Sequence, residues 1–142
     1  MINPEAIATA IAAQLEATEL NVYALPSPAR VLPCIEVRPG SPFIAYRRTF
    51  GANGIAELTF NLEIALPVTA GWAEAYSRMY RLVGTGHETS IFDLLAADPT
   101  FSNTVATSQA GEVDRLIEGT VDAVSTLTAV FPLTVLEHRN RT

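Results

Sequence analysis

Apolar and polar side chains alternate without interruption over Ile55–Pro67. Leu58, Phe60, Leu62, Ile64 and Leu66 share one parity, and Glu57, Thr59, Asn61, Glu63 and Ala65 share the other. A period of two over that length predicts a half-buried strand, not a helix. Burying the five apolar side chains contributes about 10 kcal/mol, an upper figure because the unfolded chain already hides part of that surface. The strand is expected at the centre of one sheet.

Before it the period differs. Asn3, Pro4 and Glu5 read as a cap, a first-turn proline and an acid at the positive end of a helix. Ile7, Ile11 and Leu15 recur four apart, so the helix should run to near Thr18. Residues 21–25 predict a short strand stopped by Pro26 and Pro28. Residues 31–38 predict another, at an edge or irregular at its start, because Pro33 cannot donate to a ladder. Arg38, Pro39 and Gly40 should break the chain. Residues 43–50 should then form a hairpin with Ile55–Pro67 across the turn Gly51, Ala52, Asn53 and Gly54.

Beyond Pro67, Thr69 is the expected cap of a second helix. Trp72, Ala75, Tyr76, Met79, Tyr80 and Val83 lie on one helical face, which reads as core. Ser90 and Asp93 have capping-box spacing for a third helix that buries Ile91, Leu94 and Leu95 and stops at Asp98-Pro99. Residues 104–109 are a candidate strand, and residues 111–119 a loop or hairpin end. From Thr120 one parity holds to Val135, a second long strand with an edge or bulge at Pro132. Residues 138–142 read as a polar, mobile tail. The expected fold is α+β, a single domain over residues 1–142. It has one antiparallel or mixed sheet of about four to five strands, with the N-terminal helix and two central helices packed on one face.

Composition narrows the function. The chain has 142 residues, 49% of them hydrophobic and 17% charged, which suffices for a core with apolar surface to spare. It contains no apolar run of membrane-spanning length, and its N-terminus carries Glu5 and no basic region, unlike a signal peptide. Cys34 is the single cysteine, so neither an internal disulfide nor a cysteine-built metal site is expected. The net charge of −6 disfavours specific nucleic-acid binding, yet suits an acidic wall that DNA passes without adhering.

No catalytic constellation emerges. Gly84-Thr85-Gly86-His87-Glu88 has neither the Gly-Lys-Ser/Thr of a phosphate loop nor a second histidine at zinc-protease spacing, and reads as an interhelical linker. His138 reads as solvated, and Ser77, Ser90, Ser102, Ser108 and Ser125 have no nucleophile context. No catalytic, cofactor-binding or metal-binding residue is assigned, no cofactor is expected, and the reading is of a protein that is not an enzyme. Arg47 and Arg48, beside Tyr46 and near Asn53, read as solubilising or as contacts to a neighbouring subunit. Two long strands and a proline-marked edge leave backbone groups unpaired somewhere, and a head-to-tail contact that closes on itself would cover them as a ring.

Gly84-Thr85-Gly86, followed by the segment from Ser90 through Asp98-Pro99-Thr100, resembles the small tail-terminator proteins of long-tailed bacteriophages. The resemblance extends to the proline-rich connection at Pro26, Pro28 and Pro33, the hairpin turn from Tyr46 to Gly51, and the order of elements. It implies a structural virion protein of the tail or neck, assembled in the host cytoplasm. Such proteins form rings, usually of six copies, on the tail-tube protein. They end tube polymerisation and present a surface to the head-connector protein, with DNA passing through the ring. Tyr46, Arg47, Arg48 and Asn53 are the residues expected at subunit or tube contacts. Residues 111–119 depart from the family's pattern. Another head–tail neck or completion protein is the nearest alternative, and a small-molecule-binding α+β module is an alternative of a different class.

Overall fold

The computed structural model describes residues 2–46, 55–121 and 123–138. The elements run α1 (Pro4–Gln14), β1 (Asn21–Tyr23), β2 (Cys34–Tyr46), β3 (Ile55–Pro67), α2 (Trp72–Val83), α3 (Ile91–Ala97), β4 (Thr107–Ala110), β5 (Leu116–Val121) and β6 (Val124–His138). The fold is α+β. Among the described residues, six strands form one mixed sheet in the order β1-β2-β3-β6-β4, with β5 also paired to β6. Among the described residues, only the β1–β2 pair is parallel.

The alternating segment is central, as its pattern predicts. β3 pairs with β6 from Ile55 opposite His138 to Pro67 opposite Thr126. Leu58, Phe60, Leu62, Ile64 and Leu66 are all buried on the face that carries the helices. Ile35 and Val37 extend that face through β2, and Leu127, Phe131, Leu133 and Val135 through β6. α1 contributes Ile7 and Ile11, α2 contributes Ala75, Met79 and Leu82, and α3 contributes Ile91 and Leu95. Phe43 packs edge to face on Phe60, with ring centroids 5.4 Å apart. Asn3 Oδ1 accepts from the Ala6 amide at 3.2 Å, and Ser90 Oγ accepts from the Asp93 amide at 3.2 Å, so both caps form where the sequence places them.

Several expectations need correction. The chain does not break at Arg38-Pro39-Gly40: β2 is one 13-residue strand, and a register shift between Pro39 and Ile44 absorbs the prolines. Val31, Leu32 and Pro33 precede the strand, so the irregular start is the form Pro33 takes. Residues 47–50 and the turn residues 51–54 lie outside the described residues. The second helix is capped at Gly71, with φ 102°, and not at Thr69. Residues 111–119 are not all loop, because β5 begins at Leu116 and forms a hairpin with β6. Val121 therefore belongs to β5, and Ala123, with φ 64°, to the turn. β6 reaches His138, so that first residue of the expected tail ends a strand. Residues 139–142 lie outside the described residues.

Pro132 lies neither on an edge strand nor in a bulge. β6 is interior, but β4 ends opposite Leu133 and β5 starts opposite Ala129. Pro132 turns its backbone into the gap between them, where its carbonyl accepts from the Gly111 amide at 2.8 Å. A missing N–H is harmless at such a junction. Gly111 is required by the close approach, since a Cβ there would stand 2.9 Å from the Pro132 Cβ.

Candidate functional site

The helix-free face of the sheet is polar. Glu57, Thr59, Asn61 and Glu63 of β3 lie on it, half-buried, between Arg38 of β2 and Thr128 and Thr134 of β6. The connection formed by residues 24–33 covers one end of this face. Ser27 donates its amide to Glu36 Oε2 at 2.8 Å, Val31 donates its amide to the Tyr23 hydroxyl at 2.9 Å, and Asn21 Nδ2 donates to the Val31 carbonyl at 2.9 Å. Cys34 and Glu36 are fully buried beneath it. Burial pushes the Cys34 thiol pKa up, which disfavours the reactive thiolate. Glu36 is neutralised by Arg38 at 2.6 Å and approached by Arg30 at 3.8 Å. This cluster is fully engaged in holding the connection down.

The α2 face expected to be core is so at Ala75, Tyr76, Met79 and Val83, but not at Trp72 and Tyr80. Ala75, Met79 and Leu82 face the core, whereas Trp72 is 39% and Tyr80 60% exposed. Trp72, Tyr76 and Tyr80 form a ladder of tilted rings along the helix, with centroids 6.4 and 5.9 Å apart, and the middle ring, Tyr76, packs half-buried against the core. The Tyr76 hydroxyl donates to Glu118 Oε2 of β5 at 2.6 Å, and that bond, then partial burial, raises the phenol pKa. Phe92, whose role the sequence left open, is exposed on α3. Its position immediately after Ile91 puts it off the buried face of that helix.

Of the expected contact residues, Tyr46 ends β2 and is exposed on the helix-covered side of the sheet, opposite Ala56. Arg47, Arg48 and Asn53 lie outside the described residues. His87 is exposed in the interhelical linker, which is held by Ser90 Oγ donating to the Gly84 carbonyl and by Asp93 Oδ2 accepting from the Gly86 amide. Among the described residues, no group of three His, Cys, Asp or Glu side chains is placed to hold a metal ion. None of the described helices is long and apolar enough to cross a membrane.

Two clefts flank the helices. One, of about 670 Å³, runs between α1 and the turn at Phe101 and Ser102, lined mainly by small side chains such as Ala6, Thr9 and Ala13. The other, of about 440 Å³, lies between α3 and β4, where Phe92, Leu95, Phe131 and Leu133 line it together with Ser108, Gln109 and Ala110 of β4.

The sheet also ends in exposed backbone. β1 covers only Cys34–Glu36 of β2, so among the described residues the outer edge of β2 from residue 37 onward has no strand partner. β4 is the terminal strand on the other side. Comparisons of the chain with protein-family models and with curated proteins find no match.

Proposed function

We propose that this chain is a structural subunit of a bacteriophage tail terminator: a protein that closes into a ring on the tail tube, stops its growth and offers a surface to the head connector. One observation carries the reading beyond the sequence resemblance. Among the described residues, both sides of the sheet end in strand edges without a strand partner, at β2 and at β4. Unpaired edges favour strand addition. Different edges on opposite sides of one subunit suit a head-to-tail contact, the kind that generates rings.

The surface chemistry supports the same reading. Exposed Tyr46, Trp72, Tyr80 and Phe92 supply apolar material of the kind that protein interfaces bury. The open sheet face carries Glu57 and Glu63, and the chain's net charge is −6. An acidic wall lets DNA pass without being held. The role is assembly rather than catalysis.

Tail-tube protein polymerised with and without this chain tests the function. Capped, shortened tubes that retain the chain at one end are expected. Tubes of unchanged length, with the chain retained instead by portal-side proteins, would contradict it and favour another neck protein.

A further inference from the structure

We propose that neighbouring copies join by pairing the outer edge of β2, at residues 43–46, with the outer edge of β4, and that Tyr46 of one copy seats at the apolar cleft beside β4 of the next. This rests on the ring reading above and names the edges that meet.

The two edges lie at the same level of the sheet. Ile44 is opposite Leu58, Leu58 opposite Val135, and Val135 opposite Ser108. One row of residues thus crosses the sheet from free edge to free edge. The directions also fit. β2 is antiparallel to β3, β3 to β6 and β6 to β4, so β2 runs antiparallel to β4. A second copy placed head to tail therefore continues an antiparallel sheet across the seam.

Backbone polarity agrees. Along a strand, residues that turn N–H and C=O to one neighbour alternate with residues that turn them to the other. The Gly111 amide bonds the Pro132 carbonyl, which makes the even-numbered residues of β6 face β4 and its odd-numbered residues face β3. Carried through the registers, Gln109 faces β6 and Ala45 faces β3, leaving Ser108, Ala110, Ile44 and Tyr46 facing outward. Pairing Ile44 with Ala110 and Tyr46 with Ser108 of the next copy joins outward-facing residues throughout. It also keeps faces matched, since Ile44 and Tyr46 lie opposite Leu58 and Ala56, and Ser108 and Ala110 opposite Val135 and Leu133, all on the helix-covered side.

In that register the Tyr46 ring, 57% exposed in the single copy, comes to Ser108, which lines the cleft together with Phe92, itself 44% exposed. An exposed aromatic at one edge thus meets an apolar recess at the other. Pro39 and Pro42 lie upstream on β2 and lack amide donors, which confines the seam to residues 43–46.

The register has a covalent test. Ala45 and Gln109 become a non-hydrogen-bonded cross-seam pair, the closest kind, with Cα atoms about 4.5 Å apart and within disulfide reach. Native Cys34 is fully buried and should not interfere. The full chain carrying Ala45→Cys and Gln109→Cys, oxidised at high protein concentration, is expected to give a ladder of covalent multimers on a non-reducing gel. Ala45→Cys with Thr107→Cys, two residues out of register, is expected to give little. Adding Ala110→Pro, which removes an outward-facing donor and leaves the β4–β6 ladder intact, should abolish the multimers while the thermal melt stays cooperative. Closed rings in micrographs without the disulfide ladder would overturn this seam and leave the ring reading standing. An equal ladder from Thr107→Cys would overturn the register. Absence of both rings and ladder would overturn seam and ring together.

Discussion

Glu36 and Glu63 stand directly opposite each other on β2 and β3, and Arg38 bridges them, with Nη1 2.6 Å from Glu36 Oε1 and Nε 2.9 Å from Glu63 Oε2. Like charges at such positions repel, so the arginine sets the sign of the contact. The two bridges are unequal, because Glu36 is fully buried and the Glu63 side chain is 40% exposed. Arg38→Met should cost about 2–4 kcal/mol, since it strips the main counter-charge from a buried carboxylate. Glu63→Gln should cost less than about 1 kcal/mol. Urea titrations of the two variants compare them directly.

The side-chain amide of Gln14 ties α1 to the end of α3. It donates to the Leu94 carbonyl at 2.9 Å and to the Asp98 carbonyl at 3.0 Å, satisfying acceptors that a helix terminus leaves open. Gln14→Ala should lower stability by about 1–3 kcal/mol through two lost hydrogen bonds. Thr9→Ala, on the exposed side of the same helix, should change it by less than about 0.5 kcal/mol. Chemical denaturation of both variants checks the contrast.

Asp98 organises the turn after α3. Its carboxylate accepts from the Ser102 amide at 2.7 Å and from the Thr100 hydroxyl at 2.8 Å, and Phe101, Ser102 and Asn103 follow with φ of 51°, 58° and 63°. The Ser102 amide, then the Thr100 hydroxyl, hold its pKa below the ordinary carboxylate value. A depressed folded-state pKa contributes stability that is present above the unfolded pKa, about 3.9, and is lost as pH falls through the folded value. Melting curves of the wild type and Asp98→Asn should therefore differ by a constant amount above about pH 5 and converge in acid. A difference that widens with falling pH would refute the assignment.

On α2, Met79 is buried and the adjacent Tyr80 is 60% exposed. Met79→Ala should destabilise by about 2–5 kcal/mol. Tyr80→Ala should cost less than about 1 kcal/mol in the isolated chain. A large loss for Tyr80 would mean that the aromatic ladder supports the fold.

Much of the fold is legible in the residues, for identifiable reasons. The period of two in β3 survives because one face meets the helices and the other stays polar. Asn3 and Ser90 act locally and need no tertiary knowledge. The misreadings arise where tertiary structure overrides a local signal. Arg38-Pro39-Gly40 looks like a break, yet β3 on its inner side keeps β2 in the sheet across a bulge. Pro132 looks like an edge residue because nothing local reveals that β4 and β5 share the far side of β6. On α2, small Ala75 lets the helix pack closely with Met79 inward, while the aromatic stripe stays exposed at Trp72 and Tyr80 and reaches the core at half-buried Tyr76. Tyr46 could be picked out as an aromatic near the expected hairpin turn. Its proposed counterpart at residues 107–110 is a polar four-residue strand with no hydrophobic period, and only the register places it level with Ile44.

The closed, head-to-tail assembly proposed for this chain has a visible shape. Electron microscopy of the purified full chain, alone and mixed with tail tubes, tests it most directly. Annular particles with a central opening, free in solution or seated on tube ends, are the expected result. Single globular particles at every concentration, with bare tube ends in the mixture, would contradict it.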